Sequence, residues 1–384
     1  VKAPHGWRWY GIEELMRPHL ENVSLRGFKT IRELRDFAPG SLTVLIGPNG
    51  AGKSNFMSFF RLLSWALVPP GGLQEHVAKL GGASALLHDG PDRTSSIEAQ
   101  LHLVTEAGQN EYFIRLAHAA GDTLIFTEEK YRFSSSRFAT PARWTDLDVG
   151  QREARLVNKA EQGDATARTI HNLLRRVIFH QFHNTSDTAR IRQKWSVDEG
   201  RWLKEDAGNL APFLFRLQSQ QPRYYQRVVE TIRLVLPFFA DFEFEAEFDR
   251  LLLQWREKGT DRIFNASQAA DGMLRILALV ALLQQPEFDL PDVLILDEPE
   301  LGLHPYAVEV VAGLIRAASQ SVQIILATQS VSLIDRFNPE DIVVVNRVGR
   351  ESEFRRLGTD ALAGWLQEYS LSELWEKNVI GGRP

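Results

Sequence analysis

The octet "GPNGAGKS" at 47–54 puts glycines at its first, fourth and sixth positions and ends on a lysine and a serine. It fits G-x-x-x-x-G-K-[ST] in full. Glycines let successive backbone N–H groups turn toward one point, and a helix N-terminus adds positive potential, so this spacing suits capture of a phosphate chain. Gly47, Pro48, Asn49, Gly50, Ala51, Gly52, Lys53, Ser54 and the adjoining Asn55 are therefore the expected nucleotide-binding residues. Lys53 would reach the β- and γ-phosphates, and Ser54 would offer its hydroxyl to Mg²⁺. A second stretch, "VLILDEPE" at 293–300, delivers Asp297 and Glu298 at the end of four apolar residues. Ligands of parallel sheets bind beyond the carboxyl ends of the strands. Asp297 is thus placed to hold Mg²⁺ through its water shell. Glu298, one residue on, is placed to orient and polarise an attacking water. A third stretch, "IILATQS" at 324–330, is an apolar run that stops at Thr328, Gln329 and Ser330.

These groups work together only if strands and helices bring them to one edge. "SLTVLI" before the octet reads as a strand, and the apolar run from about Lys53 reads as a helix broken at Pro69 and Pro70. From about Ser95 to Phe133 three alternating runs, parted by Gly108 and Gly121, predict an antiparallel meander. The stretch from Ala142 to His171 is polar and charged and reads as surface helix or loop. Helical periodicity returns from about Asn209 to Phe239, "DFEFEAEFDRLLLQWREK" predicts a hairpin, and "DGMLRILALVALLQQ" predicts an apolar helix. "DVLILDEPE" and "SVQIILATQS" read as buried strands joined by the helix "AVEVVAGLIRAAS", and "DIVVVNRVG" as a further strand. There is no internal repeat and no heptad run of coiled-coil length.

Composition narrows the classes. The 384 residues are 44% apolar, enough for a sizeable core, and the formal net charge is −5. Bulk charge therefore does not drive the chain onto nucleic acid or an anionic membrane, and such binding would need a local patch. The absence of cysteine excludes disulfides, thiolate zinc sites and a cysteine nucleophile. No apolar run approaches the roughly 18 residues of a membrane span. The opening "VKAPHGWRWYGIEEL" lacks the apolar core of a signal peptide, so the expectation is a cytoplasmic chain without a membrane partner.

"IGPNGAGKSN", "DGMLRILAL", "LILDEPELGLHP" and "IILATQS" together resemble the ATP-binding-cassette (ABC) class of P-loop ATPases, in its SMC/RecF/OLD branch. More narrowly, the chain is similar to a bacterial OLD-like ATPase family, including "FHNTS" at 182–186, "EDAGNLAPFLFRL" at 205–217 and the terminal "ELWEKNVIGGRP". The resemblance implies an α/β fold. It is an ABC-ATPase head with a mostly parallel P-loop sheet flanked by helices, and with an antiparallel β lobe and a helical lobe inserted between phosphate loop and signature. The expected division is a core from 20–65 and 265–350, an inserted lobe at about 66–264 and a C-terminal tail at 351–384.

The resemblance also implies ATP and Mg²⁺ as cofactors and a homodimer, two heads closing head to tail over two nucleotides. Each site would take its phosphate loop and carboxylates from one subunit and a signature segment from the other. Carried over, the signature is "SQAADGMLR", with Ser267, Ala270, Asp271 and Gly272, and Gly272 sits where a helix N-terminus can meet phosphate. The usual serine before the Asp-Gly pair is Ala270, and Ser267 lies three residues upstream. Gly302, Leu303 and His304 in "ELGLHP" match a loop that crosses the dimer interface. Gln329 stands where the class has a switch histidine. It can accept from the attacking water and donate to phosphate, but it cannot become cationic. Gln329 and Ala270 together predict slow or partner-dependent hydrolysis. Gln181 is a candidate for the glutamine that joins the lobes and touches Mg²⁺.

The OLD proteins proper append a TOPRIM nuclease. The stretch after Gln329, with acids at Glu340 and Asp341, is too short for one, so no nuclease is expected in this chain. The expected activity is an ATP-gated switch whose client is nucleic acid or a nuclease-like effector protein encoded nearby. The resemblance suggests antiphage defence as the setting. The rival reading is an assembly scaffold in which ATP only stabilises an oligomer. Two basic groups could meet DNA: Arg175, Arg176, Arg190, Arg192 and Lys194, and Lys29, Arg32 and Arg35. Each also reads as a solvated basic face.

Overall fold

Apolar residues that alternate along a strand part to opposite faces of its sheet. Leu42, Val44, Ile46, Leu294, Leu296, Ile324 and Leu326 join one buried cluster. Their neighbours Leu45, Val293, Ile295, Ile325 and Ala327 join a second. Strands buried on both faces mark a mainly parallel sheet covered on each side, and that sheet organises the molecule. A computed structural model describes residues 17–67, 71–136, 142–358, 362 and 364–383. The expected helix break at Pro69 and Pro70, and the opening segment 1–15, lie outside them.

The central sheet runs in the order Glu351–Arg356, Ile342–Val348, Leu42–Ile46, Gln323–Thr328, Val293–Asp297, Val177–His180. All pairings are parallel except that of the first two strands. The strand that enters the phosphate loop is thereby next to the strand of Thr328, which is next to the strand of Asp297. One face is closed by the helices Leu210–Gln220, Pro222–Val235, Asp271–Leu283 and Pro305–Ala318. The other face receives the phosphate-loop helix Lys53–Ala66 and, beyond it, an antiparallel sheet. That second sheet is ordered Ile31–Phe37, His19–Phe28, Ser96–Thr105, Gly108–Ala119, Thr123–Ser135, Thr145–Asp146.

The phosphate-loop helix is wedged between the two sheets by its phenylalanines. Phe56 is fully buried, with its ring 5.2 Å from that of Phe37 and 5.3 Å from that of Phe60. Truncating such a side chain costs about 3–5 kcal/mol, so packing and not capping anchors the helix. The helix has neither a side-chain cap nor an acidic residue in its first turn. Its N-terminal amides and their positive potential are left to a ligand anion.

Three boundaries differ from the division expected from sequence. Strands His19–Phe28 and Ile31–Phe37 pair with the antiparallel lobe and not with the P-loop sheet. Val177–His180, inside the expected insertion, is an edge strand of the P-loop sheet. Glu351–Arg356, assigned to the tail, is the opposite edge. Edge strands are short or charged because pairing on one side alone neither needs nor tolerates a long apolar run. "VIFH" and "ESEFRR" accordingly carry little strand signal. The polar stretch after Ala142 contains the helices Arg155–Glu161 and Ala165–Arg175, whose apolar stripes pack into the second cluster. The 239–257 stretch pairs as Phe239–Glu243 with Gln254–Glu257, and a third strand, Ile263–Asn265, is added.

Candidate functional site

The phosphate loop owes its shape to its glycines. Gly47 has φ +149°, and a Cβ there would lie 2.1 Å from Val345 O. Gly52, the residue before the helix, has φ +117°, and its Cβ would fall 2.0 Å from Ser352 Oγ and 2.8 Å from Thr30 Oγ1. That hydroxyl pair is the loop's support. Ser352 Oγ lies 2.5 Å from Ala51 O and 2.7 Å from Thr30 Oγ1, while Asn55 Nδ2 donates to Thr30 Oγ1 at 2.7 Å. Lys53 is buried, and its ammonium donates to Gly47 O at 2.5 Å and Pro48 O at 3.1 Å. Burial lowers its pKa, opposed by the charges of Glu298, Asp297 and Glu300. Ser54 and Asn49 are exposed at the mouth of the loop, beside Gly50.

Asp297 ends its strand in register with Ala327. Its Oδ2 accepts from Gln181 Nε2 at 2.8 Å, whereas its Oδ1 is buried without a hydrogen-bond partner. Burial raises its pKa, and the charges of His183 and Lys53 work the other way. An unpaired buried carboxylate oxygen is costly. A cation removes that cost, so the residue fits a magnesium site on its own geometry. Glu298 turns out of the strand with φ +42°, in the left-handed region, while its amide still donates to Ala327 O at 2.9 Å. Non-glycine residues pay for that conformation, and the result is that two consecutive carboxylates leave one strand end in different directions.

Gln329 Nε2 bridges Glu298 Oε1 at 2.5 Å and Asn49 Oδ1 at 2.7 Å. The structure thus brings Lys53, Asp297, Glu298 and Gln329 to one edge of the sheet, with Gln181 on the far side of Asp297. Sequence reasoning passed over two neighbours. His183 Nε2 lies 3.1 Å from Asp297 O and 3.9 Å from Glu298 Oε2. Glu300 is buried and accepts from Thr328 Oγ1, while its Oε2 has no partner. The signal for His183 was its place two residues after Gln181 at a strand end. For Glu300 it was the third acid of "DEPE".

Burial lifts the Glu300 carboxyl from 4.5 to about 7. The native state then keeps a proton that the unfolded chain has released, so stability falls as pH rises from 4.5 to 7 and stays low above. The shift is worth up to ~3 kcal/mol. Glu300→Gln, neutral at every pH and able to accept from Thr328, should remove most of this loss. Denaturant unfolding at pH 5 and pH 8 is expected to show a smaller difference for the variant, and parallel curves for the two proteins would refute the assignment.

The segment expected from sequence to be the signature lies elsewhere on the same chain. Ala270 precedes the helix Asp271–Leu283 without offering a side-chain cap. Asp271 pairs with Arg192 at 3.0 Å. Gly272 is pressed against the 302–304 loop, since a Cβ there would lie 2.6 Å from Gly302 O. Ser267 Oγ is hydrogen-bonded to Asn265 Oδ1 at 2.5 Å inside a local capping box, so it does not stand in for the serine missing at 270. Leu303 packs against the first core cluster, and His304 caps the next helix by accepting from Tyr306 N at 3.4 Å.

The basic groups are mostly engaged. Arg190 pairs with Asp206, Lys194 with Glu247, Arg176 with Asp292, Arg32 with Glu351 and Arg35 with Glu33. Lys29 donates to Ser58 Oγ, and Arg175 is exposed.

A phosphate loop and strand-end carboxylates on a parallel sheet, backed by an antiparallel lobe, define a P-loop ATPase head of the ABC and SMC-like type. Residues 42–335 match the family described as "AAA domain, putative AbiEii toxin, Type IV TA system", and the chain belongs to that family. Among solved structures it is similar to an Smc head bound to the C-winged helix domain of ScpA. That likeness has a TM-score of 0.59 and 16% identity over 90% of this chain and 99% of the other. It is also similar to an Smc head with an extended coiled coil bound to the C-terminal domain of ScpA from Pyrococcus furiosus. There the TM-score is 0.54, with 15% identity over 91% and 99% of the two chains. These likenesses show the fold. No curated protein matches the sequence. Among the described residues no helix is long and apolar enough to cross a membrane.

Proposed function

We propose that the chain is a nucleotide-gated switch. Mg-ATP binds at Gly47–Asn55, two heads close head to tail over two nucleotides, and hydrolysis assisted by Glu298 reopens them. The carrying observation is the buried, unpartnered Asp297 Oδ1 beside a buried Lys53 at the mouth of the phosphate loop. Ser54 and Asp297 would hold the magnesium ion, with Gln181 steadying Asp297. When bound, the ion offsets charge on the phosphates.

The remaining work falls to the chain's own side chains. Lys53 leaves the carbonyls of Gly47 and Pro48 for the phosphates. Gln329 releases Glu298, which then accepts a hydrogen bond from the attacking water, while the Gln329 amide can turn to a phosphate oxygen. Residues 267–272 and 302–304 form the surface offered to the partner's nucleotide.

A second reading has its own support. Gln329 holds Glu298 at 2.5 Å, and position 270 lacks a hydroxyl. Both favour slow turnover and a scaffold in which ATP stabilises an assembly. The engaged basic side chains favour a protein effector over DNA as the client. The family description names a toxin of a type IV toxin–antitoxin system, which supports a defence setting; a cytoplasmic location is part of the same proposal.

The test is steady-state ATP hydrolysis by the purified protein with and without double-stranded DNA, together with sedimentation with and without Mg-ATP. Slow turnover with an ATP-dependent dimer is the expected result. A dimer without turnover would favour the scaffold, and DNA stimulation would make nucleic acid the client. Absence of both nucleotide binding and dimerisation would sink both readings.

A further inference from the structure

Two stretches have no part in this account: "FHNTS" at 182–186 and the basic run "ARIRQKW" at 189–195. The structure joins them through Arg192, whose side chain is only 7% exposed. Its Nε donates to Thr185 O at 2.9 Å and its Nη1 to Ala266 O. Its Nη2 donates to Ala269 O at 3.2 Å and to Asp271 Oδ1 at 3.0 Å. A guanidinium offers five N–H donors in a rigid plane. Four contacts are made here, and three of them fall on residues 266–271, the approach to the signature helix. That helix starts without a side-chain cap, and the Ser267 hydroxyl is spent on Asn265. The capping box of Asn265 and Gln268 steadies the start of the approach, and Arg192 holds its far end, where the helix has no side-chain cap, from behind. Arg275, on the first turns of the helix, continues the same hold by donating to Phe182 O at 3.2 Å, His183 O at 3.0 Å and Leu301 O at 2.8 Å.

We propose that Arg192 is the positioning residue of the signature segment. It fixes residues 266–271 so that the first amides of the helix meet the γ-phosphate in the partner's site, without the serine that Ala270 replaces. The proposal rests on the head-to-tail dimer proposed above. The first N–H groups of a helix have no partner within it and point out along its axis, so the entry angle of residues 266–270 decides where they aim. A lysine cannot replace Arg192, because a single ammonium cannot span three carbonyls and a carboxylate spread over this segment. The same strap reaches Asp297 through Gln181 and His183. A role within its own site is the alternative to be separated.

The experiment begins with Glu298→Gln, expected to form an ATP-dependent dimer in sedimentation. If it does not, the dimer reading falls, and this proposal with it, before any further step. In that background Arg192→Ala should raise the protein concentration needed for dimerisation by ~10- to 100-fold. Binding of a fluorescent ATP analogue to the monomer should stay the same, while the melting temperature should fall by a few degrees because buried acceptors lose their donor. Arg192→Lys guards against misfolding and should show the same defect at smaller size. Dimerisation of the lysine variant at wild-type concentrations would overturn the proposal.

Mixing Arg192→Ala with Glu298→Gln then separates the two sites. At concentrations where the unchanged protein is dimeric, each variant alone is expected to turn over little ATP. A mixed dimer has one complete site, with Lys53, Asp297 and Glu298 from the first chain and an intact signature from the second. Recovered turnover is expected. A mixture as inactive as its components would place Arg192 in its own site and overturn the trans role.

Discussion

Replacing Glu298 by glutamine is expected to lower ATP turnover at least ~100-fold, the usual worth of a positioned base, while leaving nucleotide binding intact. Glu298 holds a left-handed backbone conformation that carries its side chain away from Asp297, and its Oε1 is gripped by Gln329. Glutamine preserves the size and can still accept from Gln329, so the fold and the phosphate site persist. The amide cannot take a proton from water. The variant should therefore accumulate as a closed dimer in Mg-ATP, visible by sedimentation or size-exclusion chromatography, with little phosphate released. If biological function survives this change, the scaffold reading gains and the switch reading fails. Turnover close to the unchanged protein would take the base role away from Glu298 altogether.

Lys53→Ala should have the other large effect. Lys53 is the cation against which Asp297, Glu298 and Glu300 are balanced, and it is buried where a phosphate chain would approach. Hydrogen bonds to charged groups in such a site are worth ~3 kcal/mol, so ATP affinity should fall roughly 100-fold. The backbone of the loop is set mainly by Gly47 and Gly52 against Val345 and Ser352, although Lys53 adds hydrogen bonds to two of its carbonyls. The variant should accordingly keep its secondary structure. Titration calorimetry with Mg-ATP, beside a circular dichroism spectrum, gives both readings. Unchanged affinity would mean that the octet is not the nucleotide site.

The local features of the site were legible because each is written in a few adjacent residues. An apolar run followed by "GPNGAGKS" can only be a strand, a glycine turn and a helix opening. An apolar run ending in "DE", or in "TQS", announces polar groups at a strand end. The meander and the apolar helices followed from periodicity for the same reason. The edge strands Val177–His180 and Glu351–Arg356 did not, since four residues or a charged hexad give no period to read. Residues 20–37 fall within the core that the resemblance implies, with no strand read there. Only hydrogen bonding with Ser96–Thr105 assigned them to the lobe.

By itself, then, the sequence determined the chemistry available: a glycine-rich octet of phosphate-loop pattern, two carboxylates at a strand end and a neutral glutamine at another; that the glutamine replaces a histidine, and that a signature lacks its serine, is what the resemblance implies. Those are properties of single segments, where residue type and spacing act over a few bonds. Tertiary structure alone decided the pairings between segments. It placed Gln181 on Asp297, joined Gln329 to both Glu298 and Asn49, and buried Glu300 beneath Thr328. It also turned Arg192 from a basic residue of a surface run into a buried clasp on residues 266–271. A guanidinium reads the same in sequence whether it faces solvent or three carbonyls. The difference lies in which chain segments, scores of residues apart, the core brings against it, and that follows from packing of the whole sheet and its helices.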